Sequence, residues 1–133
     1  MMLRPATEED RGAIAGIQRA SREASSWDSL EYPCVVAQEN GKIVGFLVTR
    51  QIAPGESEIL NLAVDAGYRR RGIAGRLVRE AIARAPGTWF LEVRESNMAA
   101  IGFYESLGFE ACGRRQNYYN DPTEAAIVMR FHS

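Results

Sequence analysis

The chain has 133 residues, of which 46% are apolar and 25% are charged, and its formal net charge is −1. This length and composition predict one globular domain over 1–133 and exclude a disordered chain. The balanced charge excludes a general nucleic-acid-binding surface, and the lack of a long apolar run excludes a membrane span. Because residues 1–10 also lack the apolar core of a signal peptide, we expect a cytoplasmic protein without nucleic-acid or membrane partners.

The first part of the chain predicts a short strand and a helix. Residues 3–5 form the strand, and Thr7 with Asp10 resembles a capping box at the start of a helix that ends near Ala20. Two apolar residues of this helix are expected in the core, Ile14 and Ile17. Residues 21–33 are polar and irregular, with three expected anchors to the core, Trp27, Leu30 and Tyr32.

A hairpin comes next, followed by a third strand and a second helix. Asn40-Gly41 lies between two apolar runs and predicts a hairpin of strands 34–38 and 42–51. The apolar run 58–64 is the next strand. After a basic turn, apolar residues recur at helical spacing and predict a helix that ends near Arg84.

The last part of the chain predicts a strand at 89–93, a helix and two antiparallel strands at 109–114 and 125–131. The helix begins at a capping residue, which is Ser96 or Asn97. Three side chains are expected along one side of this helix, Ile101, Tyr104 and Leu107. These assignments alternate strands with helices in the middle of the chain and place hairpins at its flanks.

This order of elements predicts a mixed α/β fold. The strand–helix–strand unit makes strands 58–64 and 89–93 parallel neighbours at the centre, whereas the hairpins make antiparallel flanks. The expected architecture is a six- to seven-stranded, mostly antiparallel sheet with one central parallel pair. Ligands in open α/β sheets bind at the carboxyl ends of parallel strands. We therefore expect Glu92, Asn97 and Tyr104 to face one cleft at that edge.

The cysteine and histidine residues exclude several kinds of site. Cys34 and Cys112 are far apart and lie in predicted strands, so both are expected to be small buried apolar side chains. The one histidine is His132. A catalytic triad that depends on histidine and a histidine-rich metal site are therefore excluded, and no metal site is predicted.

The basic turn between strand 58–64 and the helix that follows it predicts an anion site. The first backbone N–H groups of a helix have no partner within the helix, and the helix dipole adds positive charge there. Gly72 and Gly75 have no Cβ and Ala74 has only a methyl group, so a diphosphate can approach the main chain. Three arginines add charge, Arg69, Arg70 and Arg71. The alternative is an ordinary basic helix start.

Two motifs then resemble a known family. The spacing Arg69-x-x-Gly72-x-Ala74 is not that of a dinucleotide or nucleotide-triphosphate loop. It resembles the [Q/R]-x-x-G-x-[G/A] loop with which GNAT acyl-CoA N-acyltransferases bind the pyrophosphate of acetyl-CoA. The run from Leu91 to Phe109 resembles the second half of the same catalytic core, and in particular the bacterial ribosomal-protein-alanine N-acetyltransferases. The match covers about residues 57 to 131.

The resemblance implies the GNAT fold, acetyl-CoA as cofactor and a set of functional residues. Glu92 matches the residue that accepts the amine proton, and Tyr104 matches the donor to the departing thiol. The implied cofactor-binding residues are Leu62, Ala63, Val64, Arg69, Arg70, Arg71, Gly72, Ile73, Ala74, Gly75 and Asn97. Tyr118 and Tyr119 are candidates for binding a peptide acceptor. Adjacent residues of an extended strand point to opposite faces, so at most one of these two tyrosines is expected at the site.

The chemistry of the acceptor favours a protein N-terminal α-amine. At pH 7, deprotonating an α-amine with a pKa near 8 requires roughly 1 kcal/mol, whereas a lysine with a pKa near 10.4 requires about 4.6 kcal/mol. A lone carboxylate, Glu92, is better suited to deprotonate the α-amine than the lysine. Compared with the family, however, the segment before Cys34 and the turn at 120–124 are short, which leaves the acceptor open.

Three alternatives remain at this point. The protein acetylates a small amine or a lysine, or it is an acyl-CoA-binding regulatory domain without activity. Nucleic-acid binding through Arg69–Arg71 is the third, and it requires a wider basic face than the net charge of −1 supplies. The sequence is compatible with a monomer or a homodimer.

Overall fold

A computed structural model describes residues 1–21 and 31–133. The expected anchors Trp27 and Leu30 lie outside these residues. The strands are β1 Met2–Pro5, β2 Cys34–Glu39, β3 Lys42–Ala53, β4 Glu56–Val64, β5 Thr88–Arg94, β6 Glu110–Tyr119 and β7 Glu124–His132. The α-helices are α1 Arg11–Ala20, α2 Ile73–Arg84 and α3 Met98–Ser106, and short 3₁₀ turns cover Glu8–Asp10 and Ala66–Tyr68.

The strands form a seven-stranded sheet in the order β1-β2-β3-β4-β5-β7-β6. β4 and β5 are parallel neighbours joined by α2, and the other pairs of neighbouring strands are antiparallel. This arrangement confirms the mixed sheet with a central parallel pair. No helix of the described residues is both long and apolar enough to cross a membrane.

Two apolar clusters cover the two faces of the sheet. Phe46 and Val48 belong to a smaller cluster with α1, and Leu47 between them belongs to a larger cluster with α2 and Tyr104. Successive residues of a strand point to opposite faces, so α1 covers one face and α2 with α3 covers the other. We refer to these as the α1 face and the α2 face.

The N-terminal elements are held together by a buried carboxylate. Asp10 accepts hydrogen bonds from the backbone N–H of Thr7 at 2.8 Å and from two guanidinium nitrogens of Arg4 at 2.7 and 2.9 Å. These contacts confirm the predicted capping box and tie β1 to the start of α1. The hydrogen bonds from Arg4 are the main reason that the pKa of Asp10 is lowered to about 2.

Local predictions for the hairpin at Asn40-Gly41 and for the core are also confirmed. Asn40 and Gly41 have φ values of 50° and 81°, as a two-residue hairpin turn requires. Tyr32 packs against the cluster of the α1 face, as expected of an anchor. Ile14 and Ile17 are buried in the same cluster.

The expectation for Cys112 is wrong. Cys34 is buried, but Cys112 is exposed. The reason is that β6 forms the outer edge of the sheet, and its register with β7 shifts between Ala111 and Gly113. The side chain at the shift therefore has no layer above it, and its small apolar character does not bury it.

Candidate active site

The site begins where the two parallel strands separate. β4 and β5 pair over three residues only, from Glu56↔Thr88 to Glu58↔Phe90. Beyond that point β4 continues to Val64 beside β3, and β5 continues to Arg94 beside β7. The two strands therefore diverge toward their carboxyl ends and leave an opening through the middle of the sheet. Sequence analysis predicted the parallel pair but not this opening.

A bulge in β4 lies at the start of the opening. The register with β3 jumps from Val48↔Asn61 to Thr49↔Ile59, so Leu60 is the extra residue. Ile59 and Leu62 are an odd number of residues apart, yet both pack on the α2 face. The bulge thus reverses the alternation of the strand and bends it at the place where β5 separates.

The end of β4 contributes main chain to the opening. Ala63 is buried on the α1 face, and Leu62 and Val64 are partly buried on the α2 face. Their side chains are used in packing on both sides of the sheet. These three predicted cofactor-binding residues can therefore contact a ligand between β4 and β5 chiefly through their backbone N–H and C=O groups.

The predicted anion site forms a tight left-handed turn before α2. Arg70 and Gly72 have φ values of 65° and 77°, and Gly72 is the N-cap of α2. A Cβ built on Gly72 meets nothing within 4 Å, so the space in front of the helix is open. Ile73 is buried in the core beneath the turn. The first N–H groups of α2, those of Ile73, Ala74 and Gly75, are thus held at the mouth of an open space.

The cationic side chains of this turn are positioned in different ways. The Arg71 guanidinium carbon lies 4.9 Å from the centre of the Tyr68 ring, and Lys42 Nζ lies 5.1 Å from it. Arg69 Nε donates to the carbonyl oxygen of Val64 at 3.3 Å. Arg79, which was not predicted, places its guanidinium 3.1 Å from where a Cβ on Gly75 would be. Positive charge therefore surrounds the N-terminal end of α2.

Glu92 presents an unsatisfied oxygen. Its side chain is 13% exposed, and Oε1 lies 3.5 Å from Arg115 Nη2. Oε2 is buried and has no hydrogen-bond partner among the described residues. Leu91 and Val93 pack on the α2 face, so Glu92 points to the α1 face. A buried carboxylate oxygen without a donor is unfavourable, so an incoming N–H donor would be favoured there.

Tyr104 lies on the other side of β5. It is 8% exposed and packs in the α2-face cluster, with its ring edge-to-face against Phe103 and Phe109. Burial raises the pKa of its phenol, so the hydroxyl keeps its proton at neutral pH. Glu92 and Tyr104 are therefore on opposite faces, and the opening between β4 and β5 is the feature that connects those faces.

Asn97 is the cap that begins α3. Its Oδ1 accepts a hydrogen bond from the backbone N–H of Ala100 at 3.0 Å, which decides between the two expected caps, Ser96 and Asn97. Ile101 and Leu107 pack with Tyr104 against the core, as predicted. Because the amide oxygen already accepts one hydrogen bond in the cap, the amide NH2 is the group of Asn97 that has both of its hydrogen-bonding positions left for the implied contact to a cofactor.

The expected alternation of Tyr118 and Tyr119 is wrong. Their ring centres are 5.0 Å apart in an edge-to-face contact, so both side chains lie on one side. Asn117 has a φ of 54°, and the register of β6 shifts between Arg115 and Tyr119. Burial is the first cause that raises the pKa of both phenols. For Tyr118 a hydrogen bond with Glu92 comes next, and the negative charge of Glu92 contributes to both. Arg115 connects them to Glu92, since its Nη2 lies 3.5 Å from Glu92 Oε1 and its guanidinium carbon lies 5.5 Å from the centre of the Tyr118 ring. Both tyrosines are therefore close to Glu92.

An ion pair missed by sequence analysis lies beside them. Arg50 donates to Glu58 Oε1 at 2.8 Å, and the Glu58 side chain is 16% exposed. Glu58 is in the last pair of the β4–β5 ladder, where the opening starts. The local sequence contains no signal for this pair, because its partners meet only through the register of β3 with β4.

Comparison with known proteins identifies the family. Residues 4–109 match the family described as Acetyltransferase (GNAT) family. The chain belongs to the GNAT family. The matched region of this GNAT chain contains the turn at 69–75, Glu92 and Tyr104, and it ends before Tyr118 and Tyr119.

One relative of the GNAT chain is the ribosomal protein bS18-alanine N-acetyltransferase of Escherichia coli K12, with 43% identity over 97 residues. The alignment covers 68% of this chain and 65% of the relative, so the chain spans slightly less than two thirds of that relative's length. The crystal structure of the ribosomal-protein-S18-alanine N-acetyltransferase from Escherichia coli superposes with a TM-score of 0.81 at 31% identity. That superposition covers 98% of this chain and 92% of the other.

Two further crystal structures share the GNAT fold. Ard1 from Thermoplasma volcanium has a TM-score of 0.86 at 26% identity, covering 98% of this chain and 95% of its own. A putative streptothricin acetyltransferase from Bacillus anthracis, solved in complex with acetyl coenzyme A, has a TM-score of 0.81 at 20% identity, covering 99% of both chains. At that identity the second likeness shows the fold alone.

Proposed function

We propose that this GNAT chain transfers the acetyl group of acetyl-CoA to the N-terminal α-amine of a protein. The observation that carries the proposal is the opening between β4 and β5. It has an anion-binding turn beside it on the α2 face and the unsatisfied Glu92 oxygen on the α1 face. A donor and an acceptor can therefore approach from opposite faces and meet within the sheet.

The residues present fit acetyl-CoA. The left-handed Gly72 leaves open space in front of α2, where Ile73, Ala74 and Gly75 offer backbone N–H groups to a pyrophosphate. Nearby arginines, chiefly Arg69 to Arg71, supply the positive charge. The backbone of 62–64 would line the pantetheine arm. Acetyl-CoA supplies the thioester whose acetyl group passes directly to the acceptor nitrogen in a ternary complex.

Glu92 and Tyr104 handle the proton and the hydrogen bond of the reaction. Glu92 Oε2 accepts the proton of the acceptor ammonium, directly or through a water molecule, which leaves a neutral nucleophile. Tyr104 donates a hydrogen bond toward the departing sulfur. Because burial raises its pKa, full transfer of its proton to a thiolate is uphill. We therefore assign Tyr104 to stabilisation of the thiolate by hydrogen bonding.

Two considerations support a protein α-amine as the acceptor. Relatives at 43% identity are named for acetylating the alanine of a ribosomal protein. Among the described residues, the site also contains one carboxylate near the opening without a saturating ion pair, since Glu58 is engaged by Arg50 and Glu92 is only loosely paired with Arg115. An α-amine is about 3.3 kcal/mol easier to deprotonate at pH 7 than a lysine, as the difference of the two pKa values requires.

The test is release of CoA, followed with a thiol reagent. Three acceptors are compared: a short peptide with a free N-terminal alanine, the same peptide with a blocked N-terminus and a lysine, and a polyamine. Turnover confined to the free N-terminus supports the proposal. Turnover on the lysine or the polyamine alone contradicts the α-amine and leaves an acetyltransferase. Binding of acetyl-CoA without turnover of any of the three contradicts the proposed activity and favours an acyl-CoA-binding domain. Cytoplasmic localisation and a monomeric or homodimeric state stay predictions.

A further inference from the structure

Arg94 links the strand that carries Glu92 to the turn between β6 and β7. It lies two residues after Glu92 on β5, so both side chains are on the α1 face. Its guanidinium group donates to the carbonyl oxygens of Asn120 at 2.9 Å and Pro122 at 3.1 Å, and to Glu124 Oε1 at 3.2 Å. The same guanidinium lies 4.6 Å from the centre of the Tyr119 ring. One side chain thus contacts the turn at four points.

Glu124 extends this link to the start of α3. Its Oε2 accepts a hydrogen bond from the backbone N–H of Ser96 at 2.6 Å, while Oε1 accepts from Arg94. Its side chain is 17% exposed, and that of Arg94 is 26% exposed, so neither group is a freely solvated surface charge. A hydrogen bond with the side chain of Ser96 is the first cause that lowers the pKa of Glu124, and the bond from the Ser96 backbone also lowers it. The turn is therefore attached to both elements that follow Glu92.

Backbone pairing alone does not fix the residues before this turn. The ladder between β6 and β7 is interrupted between Arg115↔Ala126 and Tyr119↔Glu124. Asn117, in a left-handed conformation, lies within the interrupted stretch. Side-chain contacts must therefore decide where Tyr118 lies, and Tyr119 is the first residue that is paired again. The contacts of Arg94 are made directly on the far side of the interruption.

We propose that Arg94 is a positioning residue that holds Tyr118 and Tyr119 beside Glu92 as one wall of the acceptor site. The inference rests on the proposed function, because it assumes that the acceptor amine approaches Glu92. Arg94 does not touch the reacting atoms. It acts through the turn, which it keeps at a fixed distance from the strand that carries Glu92.

The geometry of the contacts requires an arginine. A guanidinium group is planar and has five N–H donors, so it can bind two carbonyl groups and a carboxylate while its face stacks on an aromatic ring. Lysine has the same charge but a single ammonium group. Arg94→Lys therefore keeps the charge opposite Glu124 and loses the simultaneous hold on Asn120, Pro122 and Tyr119. Arg94→Ala is a poorer test, since it leaves Glu124 Oε1 without its arginine partner and lowers overall stability.

The experiment compares the wild type, Arg94→Lys and a matched control, Arg114→Lys. Arg114 pairs with Glu95 on the neighbouring surface and not with the turn. For Arg94→Lys we expect KM for the acceptor to rise about tenfold, as for loss of one or two charged hydrogen bonds. KM for acetyl-CoA should change less than twofold. Hydrogen exchange should become faster in 115–124 and stay unchanged in α2. Arg114→Lys should leave all three quantities unchanged.

The outcomes separate this inference from the proposed function. If KM for acetyl-CoA and KM for the acceptor rise together, or if exchange in 115–124 is unchanged, Arg94 does not position the acceptor wall. If the wild type does not acetylate a free N-terminus but uses another amine, the proposed acceptor is wrong. The Arg94→Lys comparison is then made with that amine, and the same two measurements decide it. Faster exchange without any change in acceptor KM would restrict Arg94 to a structural role and overturn the proposal.

Discussion

At the scale of single residues, the polar atom with the clearest chemical consequence is Glu92 Oε2. It is buried and without a hydrogen-bond donor among the described residues, while its neighbours Leu91 and Val93 are buried in the core. Burying this oxygen without a hydrogen bond has a free-energy cost, and an amine N–H that donates to it would remove that cost. Under the proposed function, we expect an oxygen in this state to serve binding of the acceptor ammonium as well as proton transfer.

Glu92→Gln tests that role. The amide has the same shape but does not accept a proton, so we expect kcat/KM to fall by about 100-fold or more, in the range for loss of a general base. The melting temperature should stay the same or rise, because a buried charge is removed. Initial rates over pH 6 to 9 and thermal unfolding measure both. Glu95→Gln is the control, since Glu95 is a surface carboxylate paired with Arg114. A Glu92→Gln variant with the activity of Glu95→Gln would contradict the assignment.

At the scale of elements, the turn before α2 and the cap of α3 place backbone groups at the two sides of the opening. Gly72 adopts a φ of 77°, which an L-residue adopts only with strain. Asn97 uses its amide oxygen to begin α3. In both, the conformation of one residue determines where the N–H groups of a helix start point. Each can be changed without altering the core.

Gly72→Ala is expected to weaken acetyl-CoA binding and to lower stability. The left-handed backbone disfavours alanine by about 1 kcal/mol, and the added methyl group projects into the open space in front of the helix. The opposite sign is expected for Gly102→Ala, because Gly102 lies in the exposed middle of α3 with nothing near its missing Cβ. That change should stabilise by about 0.5–1 kcal/mol. Chemical denaturation and calorimetric titration with acetyl-CoA measure the two effects, and equal acetyl-CoA affinity in both variants would contradict the role of Gly72.

Asn97→Asp separates the cap from the implied cofactor contact. The aspartate keeps an oxygen for the backbone N–H of Ala100, so the free energy of unfolding should stay within about 0.5 kcal/mol of the wild type. It removes the amide donor, so acetyl-CoA should bind more weakly. Asn97→Ala should lower stability by about 1 kcal/mol. If Asn97→Asp binds acetyl-CoA as tightly as the wild type, Asn97 is a cap only.

The sequence predicted elements well and their irregularities poorly. Periodicity located the helices, and Asn40-Gly41 located a hairpin, because these signals depend on neighbours in the chain. The bulge at Leu60, the opening between β4 and β5 and the shared side of Tyr118 and Tyr119 depend on the register between strands. No local pattern encodes register in these segments. The Glu92 and Tyr104 positions were accessible only because a family resemblance accompanied them.

At the scale of the whole molecule, the two faces of the sheet have different tasks. The α2 face contains the proposed anion-binding turn and Tyr104, and the α1 face presents Glu92 and the two tyrosines of the proposed acceptor wall. Both substrates are thus expected to bind at once, without an acetylated enzyme. Cys34 fits this expectation. Cys34 is buried in the core, where burial raises its pKa to about 12, which does not suit a nucleophile.

The stability of the molecule should fall in acid through Asp10. Its pKa is lowered to about 2 in the folded protein and is near 3.9 when unfolded. A carboxyl group whose pKa is lower in the folded state stabilises the protein at pH values above its unfolded pKa. This stabilisation is lost as the pH falls toward the folded pKa. We expect the wild type to exceed Asp10→Asn by about 1–2 kcal/mol at pH 6, and this difference to vanish near pH 2. Urea unfolding between pH 2 and 6 measures it. Glu8→Gln, in an exposed pair with Arg11, should show no comparable trend, and a constant Asp10→Asn difference would refute the role of the ion pair.

The separation of β4 and β5 also bears on which strands can pair with another molecule. A sheet normally has two edges, and here those are β1 and β6. The divergence adds two inner edges, one on β4 and one on β5, and edges attract strands of other molecules. A strand needs about 4.7–4.9 Å on each side along its whole length, and a wedge that narrows to a paired ladder cannot provide that. We therefore expect the inner edges to exclude a foreign strand and to admit a slender extended ligand.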